Sequence, residues 1–114
     1  MQPVVDTKAV VIYKLQMFAV RQTEIFAKWL SDLADPRAVE RIALRLVRLQ
    51  SGLLGDVKPV GEGISELRID YGPGYRVYFV QRGRVVVVLL CGGSKRTQRQ
   101  DINQAKTLAA GLED

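Results

Sequence analysis

With 114 residues, the chain is long enough for one hydrophobic core and too short for two ordinary domains. Apolar residues make up 47% and charged residues 25%, the profile of a folded domain rather than a disordered tail. The 17 Lys and Arg against 12 Asp and Glu leave a formal net charge of +5, which favours polyanions or acidic proteins as partners. A chain with no histidine and one cysteine, Cys91, excludes the usual zinc constellations, a disulfide framework and a histidine-based triad.

The single cysteine fits a reducing, cytoplasmic setting. Near the start, the apolar patch Ala9 to Tyr13 is flanked by Asp6, Lys8 and Lys14 and falls short of a signal-peptide core or a membrane span. The expectation is a cytoplasmic protein without a membrane partner that folds without cofactor or metal.

In chain order, Met17 to Val20 favour a strand, with Val10 to Tyr13 as a possible backward extension. Thr23 is placed to cap a helix whose Ile25, Phe26, Trp29, Leu30 and Leu33 form an apolar stripe. Asp35 followed by Pro36 opens a second helix to about Gln50, stopped near Gly52. On that helix Val39, Ile42, Leu46 and Leu49 fall on one side, and Arg37, Arg41, Arg45 and Arg48 on the other. The basic side is either a solvated face or a phosphate-contacting stripe.

Residues 51–63 are rich in glycine and read as a loop. Three strands follow, Ser65 to Ile69, Tyr75 to Gln81 and Val85 to Cys91, joined by the Asp70 to Gly74 and Gln81 to Arg84 turns into an antiparallel meander. The last is apolar on both faces, as an interior strand would be. Ser94 is placed to cap a third helix ending near Leu112. The order β-α-α-β-β-β-α gives an α+β fold: a small, mainly antiparallel sheet packed by helices.

Chemistry concentrates near the meander. If the hairpin register pairs Arg68 with Arg76, the two share a face with Glu66 and Tyr78, and the alternative for each arginine is an ion pair with Glu66, Asp70 or a neighbour. Tyr71, Tyr75 and Tyr78 offer either base-stacking surfaces or core packing. Gly92, Gly93, Ser94 and Lys95 at a strand-to-helix junction are either an anion-binding helix start or an ordinary turn. Lys95 and Arg96 leave the last strand toward the edge where Arg68 and Arg76 lie, creating a concentrated positive site. Such a site can cleave RNA without a metal, because the ribose 2′-OH is its own nucleophile and fixed cations stabilise the charge on phosphorus.

Four segments resemble the HigB-like, phage-derived branch of the RelE/ParE toxin superfamily: Phe18 to Leu30 (FAVRQTEIFAKWL), Gly55 to Gly63 (GDVKPVGEG), Glu66 to Phe79 (ELRIDYGPGYRVYF) and Leu89 to Lys95 (LLCGGSK). The resemblance implies a RelE-like toxin domain over residues 17–114, with 1–16 as an extension ahead of a native start at Met17. It implies a type II toxin that cleaves mRNA on the ribosome and is neutralised by a cognate, HigA-like helix-turn-helix antitoxin. By the same resemblance Arg68, Arg76 and Lys95 are the catalytic candidates. Lys58, Tyr78 and Arg96, with Arg41 and Arg45 of the helical stripe, are the candidates for holding RNA. Where RelE itself carries lysines this sequence has Ile64 and Glu66, and RelE's late tyrosine falls on Ile102, so a general base must be Lys, Tyr or a carboxylate. Two rivals stay open: a ParE-like toxin that inhibits DNA gyrase without cleaving anything, and a relic that only binds its antitoxin.

Overall fold

Thr23 ends the first strand and starts the first helix with one hydroxyl. Its Oγ accepts from the Phe26 N–H at 3.0 Å and donates to the Leu90 carbonyl at 2.6 Å, so the cap is fastened to the sheet. In the computed structural model, which describes residues 17–112, the elements run β1 (Ala19–Gln22), α1 (Glu24–Ser31), α2 (Pro36–Gln50), β2 (Val57–Gly61), β3 (Ile64–Ile69), β4 (Tyr75–Arg82), β5 (Val86–Ser94) and α3 (Gln98–Ala110). The proposed extension over 1–16, its Val10 to Tyr13 strand and the Met17 start lie outside or at the edge of the described residues. Asp35 caps α2 by accepting from the Arg37 N–H at 2.9 Å, with Pro36 in the first turn.

The sheet has five strands in the order β1-β5-β4-β3-β2. β2 to β5 form an antiparallel meander, and β1 lies parallel to β5 on the other side, Ala19 opposite Val86. β5 is therefore interior, as its two apolar faces require.

Each face carries its own core. Phe26, Ile42 and Leu49 of α1 and α2 pack on Leu67, Val77, Phe79 and Leu89, and Ala105 and Ala109 of α3 pack on Ile64, Tyr78, Val80 and Leu90. Each large apolar side chain buried this way contributes about 1.5–3 kcal/mol. α1 and α2 are thus held to one side of the sheet and α3 to the other, an α+β arrangement.

Three expectations change. The glycine-rich stretch holds an extra strand, β2, which tolerates Pro59 because it is an edge strand with a bulge between Pro59 and Gly61. β1 sits at Ala19–Gln22 rather than at Met17 to Val20. The third helix begins at Gln98 after a single 3₁₀ turn, Lys95–Thr97, because β5 runs on through Gly92 and Gly93 to Ser94.

Candidate functional site

The β3–β4 register sets Arg68 directly opposite Arg76, and the β4–β5 register sets Arg76 opposite Gly93 and Tyr75 opposite Ser94. Lys95 then leaves the end of β5 beside the Asp70 to Gly74 turn. A Cβ placed on Gly74, whose φ is +78°, would lie 3.5 Å from the Lys95 Cβ and 3.7 Å from Arg76 Nη1. The turn's glycine therefore both adopts a left-handed backbone and admits the two cations to its flank. Asp56, Arg68, Asp70, Arg76 and Lys95 line one open depression of about 450 Å³ with this turn. The three catalytic candidates thus meet in one place.

Two arginines directly across a ladder repel unless each is compensated. Asp56 serves Arg68, accepting from Nη2 at 2.8 Å and Nε at 3.1 Å, and that guanidinium holds the Asp56 carboxyl below its usual range. Glu66 serves Arg76, with Oε2 3.8 Å from Nε, and Arg76 Nη1 donates to the Tyr75 carbonyl at 3.4 Å. Lys95 is exposed and has no ion pair among the described residues, and Asp70 likewise is exposed and unpaired there. The depression is of mixed charge rather than the concentrated positive site expected: three cations face it, with two carboxylates on its wall.

Behind Arg76 lies a polar cluster in the α3-side core. Glu66 is 0% exposed, and its Oε2 accepts from the Tyr78 hydroxyl at 2.9 Å and the Gln98 side-chain amide at 2.7 Å. Tyr78 is also 0% exposed, so the expectation that it holds RNA is corrected: its ring packs inside the fold. Burial, then the bond to Glu66, pushes its hydroxyl far above the ordinary tyrosine range, which also removes it as a base. Tyr71 and Tyr75 are engaged as well. The Arg41 guanidinium lies 4.8 Å above the Tyr71 ring, whose hydroxyl donates to Asp35 at 2.9 Å, and Tyr75 meets Trp29 edge-on at 6.2 Å between centroids.

The remaining candidates lie around the depression rather than in it. Lys58, on β2 opposite Glu66, is exposed. Arg96 lines a separate shallow surface with Arg99 and Asn103 on the first turns after β5. Arg41 and Arg45 line a third depression that shares Asp70 with the first. Arg45 is turned inward, donating to the carbonyls of Arg68 at 2.5 Å, Leu54 at 3.1 Å and Asp56 at 3.4 Å. It braces the loop before β2 against β3.

The glycine pair read as a candidate anion site has another cause. A Cβ on Gly92 would fall 2.4 Å from the Trp29 ring, and one on Gly93 would fall 1.7 Å from Asp101 Oδ2. Both glycines lie within β5, and the Ser94 N–H donates to Thr97 Oγ at 3.2 Å, so no open helix start faces the site. Sequence reasoning missed Asp56, Gln98 and Asp101. Only the charge pairing of Asp56 with a nearby arginine could have been sought from the sequence. A larger depression, about 750 Å³ between Arg21, Gln81, Val86, Val88 and Leu112, lies at the opposite end of β5 and gathers none of the candidate residues.

No family model matches the chain. It is 53% identical over 93 residues to an uncharacterized protein of Haemophilus influenzae, a match covering 82% of this chain and 94% of that protein. Its fold is similar to that of a chain in the crystal structure of the toxin-antitoxin complex RelBE2 from Mycobacterium tuberculosis, with a TM-score of 0.55 at 21% identity, covering 69% of this chain and 99% of that one. Among the described residues no helix is long and apolar enough to cross a membrane. With an α+β architecture of the RelE type, the chain belongs to the same family as the Haemophilus influenzae protein.

Proposed function

We propose that the chain is the toxin of a toxin-antitoxin pair, of the HigB-like kind, and that it cleaves mRNA on the ribosome without a metal. The convergence of Arg68, Arg76 and Lys95 on one open depression carries this reading. An RNA phosphate seated there would meet the Arg76 Nη atoms and the Lys95 ammonium, with Arg68 holding a neighbouring phosphate through the part of its fork that Asp56 leaves free. The 2′-OH attacks phosphorus in line and the bond to the 5′-oxygen breaks, leaving a 2′,3′-cyclic phosphate and a 5′-OH. Arg76 and Lys95 stabilise the charge that develops on the phosphoryl oxygens. Asp70, the unpaired carboxylate of the wall, accepts the 2′-OH proton, and Lys95 supplies a proton to the leaving oxygen. The residue range 17–114 is the proposed toxin domain, and a helix-turn-helix, HigA-like antitoxin is the proposed partner. The fold's similarity to a chain of a toxin-antitoxin complex supports an antitoxin partner.

The test is primer-extension mapping of mRNA after brief induction of wild type and Arg76→Ala, with translation running or blocked. Cuts inside translated codons that disappear in the variant are expected. The two carboxylates on the wall weaken the case for a polyanion and leave room for a second reading, a toxin that binds and inhibits DNA gyrase. Growth arrest with intact mRNA and lost supercoiling would select it. Neither arrest nor cuts would leave only an antitoxin-binding relic.

A further inference from the structure

Glu66 is a fully buried carboxylate beside a layer that includes Ile64, Val80, Leu90, Cys91 and Ala105. A charge in such a place is destabilising unless well paired, and apolar residues of the same size commonly serve stability as well or better. Glu66 is paired on one side only. Oε2 takes the Tyr78 hydroxyl, the Gln98 amide and the approach of Arg76 Nε, while Oε1 has no hydrogen-bond partner among the described residues.

The direction of this arrangement is informative. Gln98 comes from α3, Tyr78 from β4 and Glu66 from β3, so three elements fix one oxygen. The Arg76 side chain is 12% exposed, with Nε turned toward that oxygen and Nη1 toward the Gly74 turn that borders the depression. At 3.8 Å the approach of Nε to Oε2 is an ion pair, and Nε makes no hydrogen bond among the described residues, so the carboxylate orients the inner end of the guanidinium by charge alone. Tyr78 stays protonated through the accessible range, since burial and Glu66 both oppose its ionisation, so the donor that locks Glu66 does not titrate away.

We infer that Glu66, locked by Tyr78 and Gln98, is a positioning residue that aims the Nη edge of Arg76 at the substrate phosphate. This rests on the cleavage reading given above. A misplacement on the order of 1 Å in such a group costs about a hundredfold in rate. Glu66→Gln keeps the shape and the polar contacts but removes the charge that draws Nε inward.

The experiment is single-turnover cleavage of mRNA on programmed ribosomes by Glu66→Gln, alone and combined with Arg76→Lys, whose ammonium has no Nε for Glu66 to hold. Glu66→Gln alone is expected to slow the cleavage step by about ten- to a hundredfold with little change in the concentration for half-saturation. In the Arg76→Lys background the same change is expected to cost less than about threefold, by the non-additivity of groups that act as a unit. Equal losses in both backgrounds would overturn the assignment, because a purely structural defect does not depend on the residue at position 76. Should Glu66→Gln fold poorly, Glu66→Met, which fills the same space without a charge, replaces it in the cycle. If the wild type cuts no mRNA, the cleavage reading fails on its own. Positioning is then decided by hydrogen exchange of the Arg76 Nε–H in NMR. Exchange at least tenfold faster in Glu66→Gln upholds it, and unchanged exchange overturns it.

Discussion

Gly93 of β5 lies directly beneath Asp101 of α3, so close that a Cβ on the glycine would fall 1.7 Å from the Asp101 carboxylate and 2.8 Å from Thr97 Oγ. Gly93→Ala must push α3 off the sheet at its first turn. The cost expected for overfilling a packed position is about 1–3 kcal/mol, read as a lowered urea midpoint with an unchanged slope. An unchanged midpoint would mean that α3 is free to shift there.

Asp101 itself supplies a pH signature. Burial raises its pKa above the usual carboxylate value, and the hydrogen bond from Thr97 opposes that only in part. A carboxyl whose folded pKa is raised binds its proton more tightly when folded. It therefore favours folding below its unfolded pKa and loses that contribution as pH rises through the folded value. Relative to Asp101→Asn, which cannot ionise, the wild type is expected to lose stability as pH rises above the ordinary carboxylate value, for example from about pH 4 to about pH 7. Urea midpoints for both proteins at the two pH values measure this. A constant difference would show that the carboxyl is not raised.

Arg45 and Arg41 lie one helical turn apart and should behave differently. Arg45→Met strands the Arg68 and Leu54 carbonyls and is expected to cost about 1–3 kcal/mol. Arg41→Met loses only an exposed contact over Tyr71, about 0.5–1 kcal/mol. Thermal denaturation separates the two, and equal effects would contradict the bracing role of Arg45.

Asp56 shares Arg68 with any bound phosphate. The exposed pair contributes little to stability, so Asp56→Asn is expected to fold normally. RNA affinity should rise, and its dependence on log salt should steepen by roughly one phosphate contact. Fluorescence anisotropy with a short single-stranded RNA at two salt concentrations gives both quantities. Weaker binding would show that Asp56 orients Arg68 for the phosphate rather than competing for it.

Cys91 is 1% exposed, and burial pushes its thiol up to about 12. The thiolate is the reactive form, so the native protein at pH 8 is expected to resist a disulfide-exchange reagent and to release one equivalent on unfolding. Rapid reaction in the native state would mean that α3 opens readily.

Much of the arrangement is legible from residue order because it depends on local rules. The pairing of Arg68 with Arg76 follows from strand alternation and the length of the Asp70 to Gly74 turn, and both α1 and α2 start at recognisable caps. β2 is illegible for the opposite reason. Gly55, Gly61, Gly63 and Pro59 carry loop signals, and only the exposed backbone of β3 supplies the pairing that makes a strand of them. Strand alternation places Glu66 and Tyr78 on one face but does not say that α3 covers it. Gln98 is 32 positions away, and no local pattern connects it to Glu66. Arg45 belongs to the basic side of a helical wheel, yet at the margin of the buried sector its long stem lets the charged end reach inward to carbonyls.

The parallel pairing of β1 with β5 joins the first described strand to the last. Thr23 at its end is bonded to Leu90, 67 positions later. Contacts of such long sequence separation form late, after the loop-closure entropy of the intervening chain has been met. During synthesis, α1 and α2 can therefore coil while β1 has nothing to pair with. Lys95, the last cation of the depression, emerges with the end of the strand that β1 awaits. Completion of the sheet and completion of the charged depression are thus one folding event, so a nascent chain carries neither until synthesis has passed Lys95.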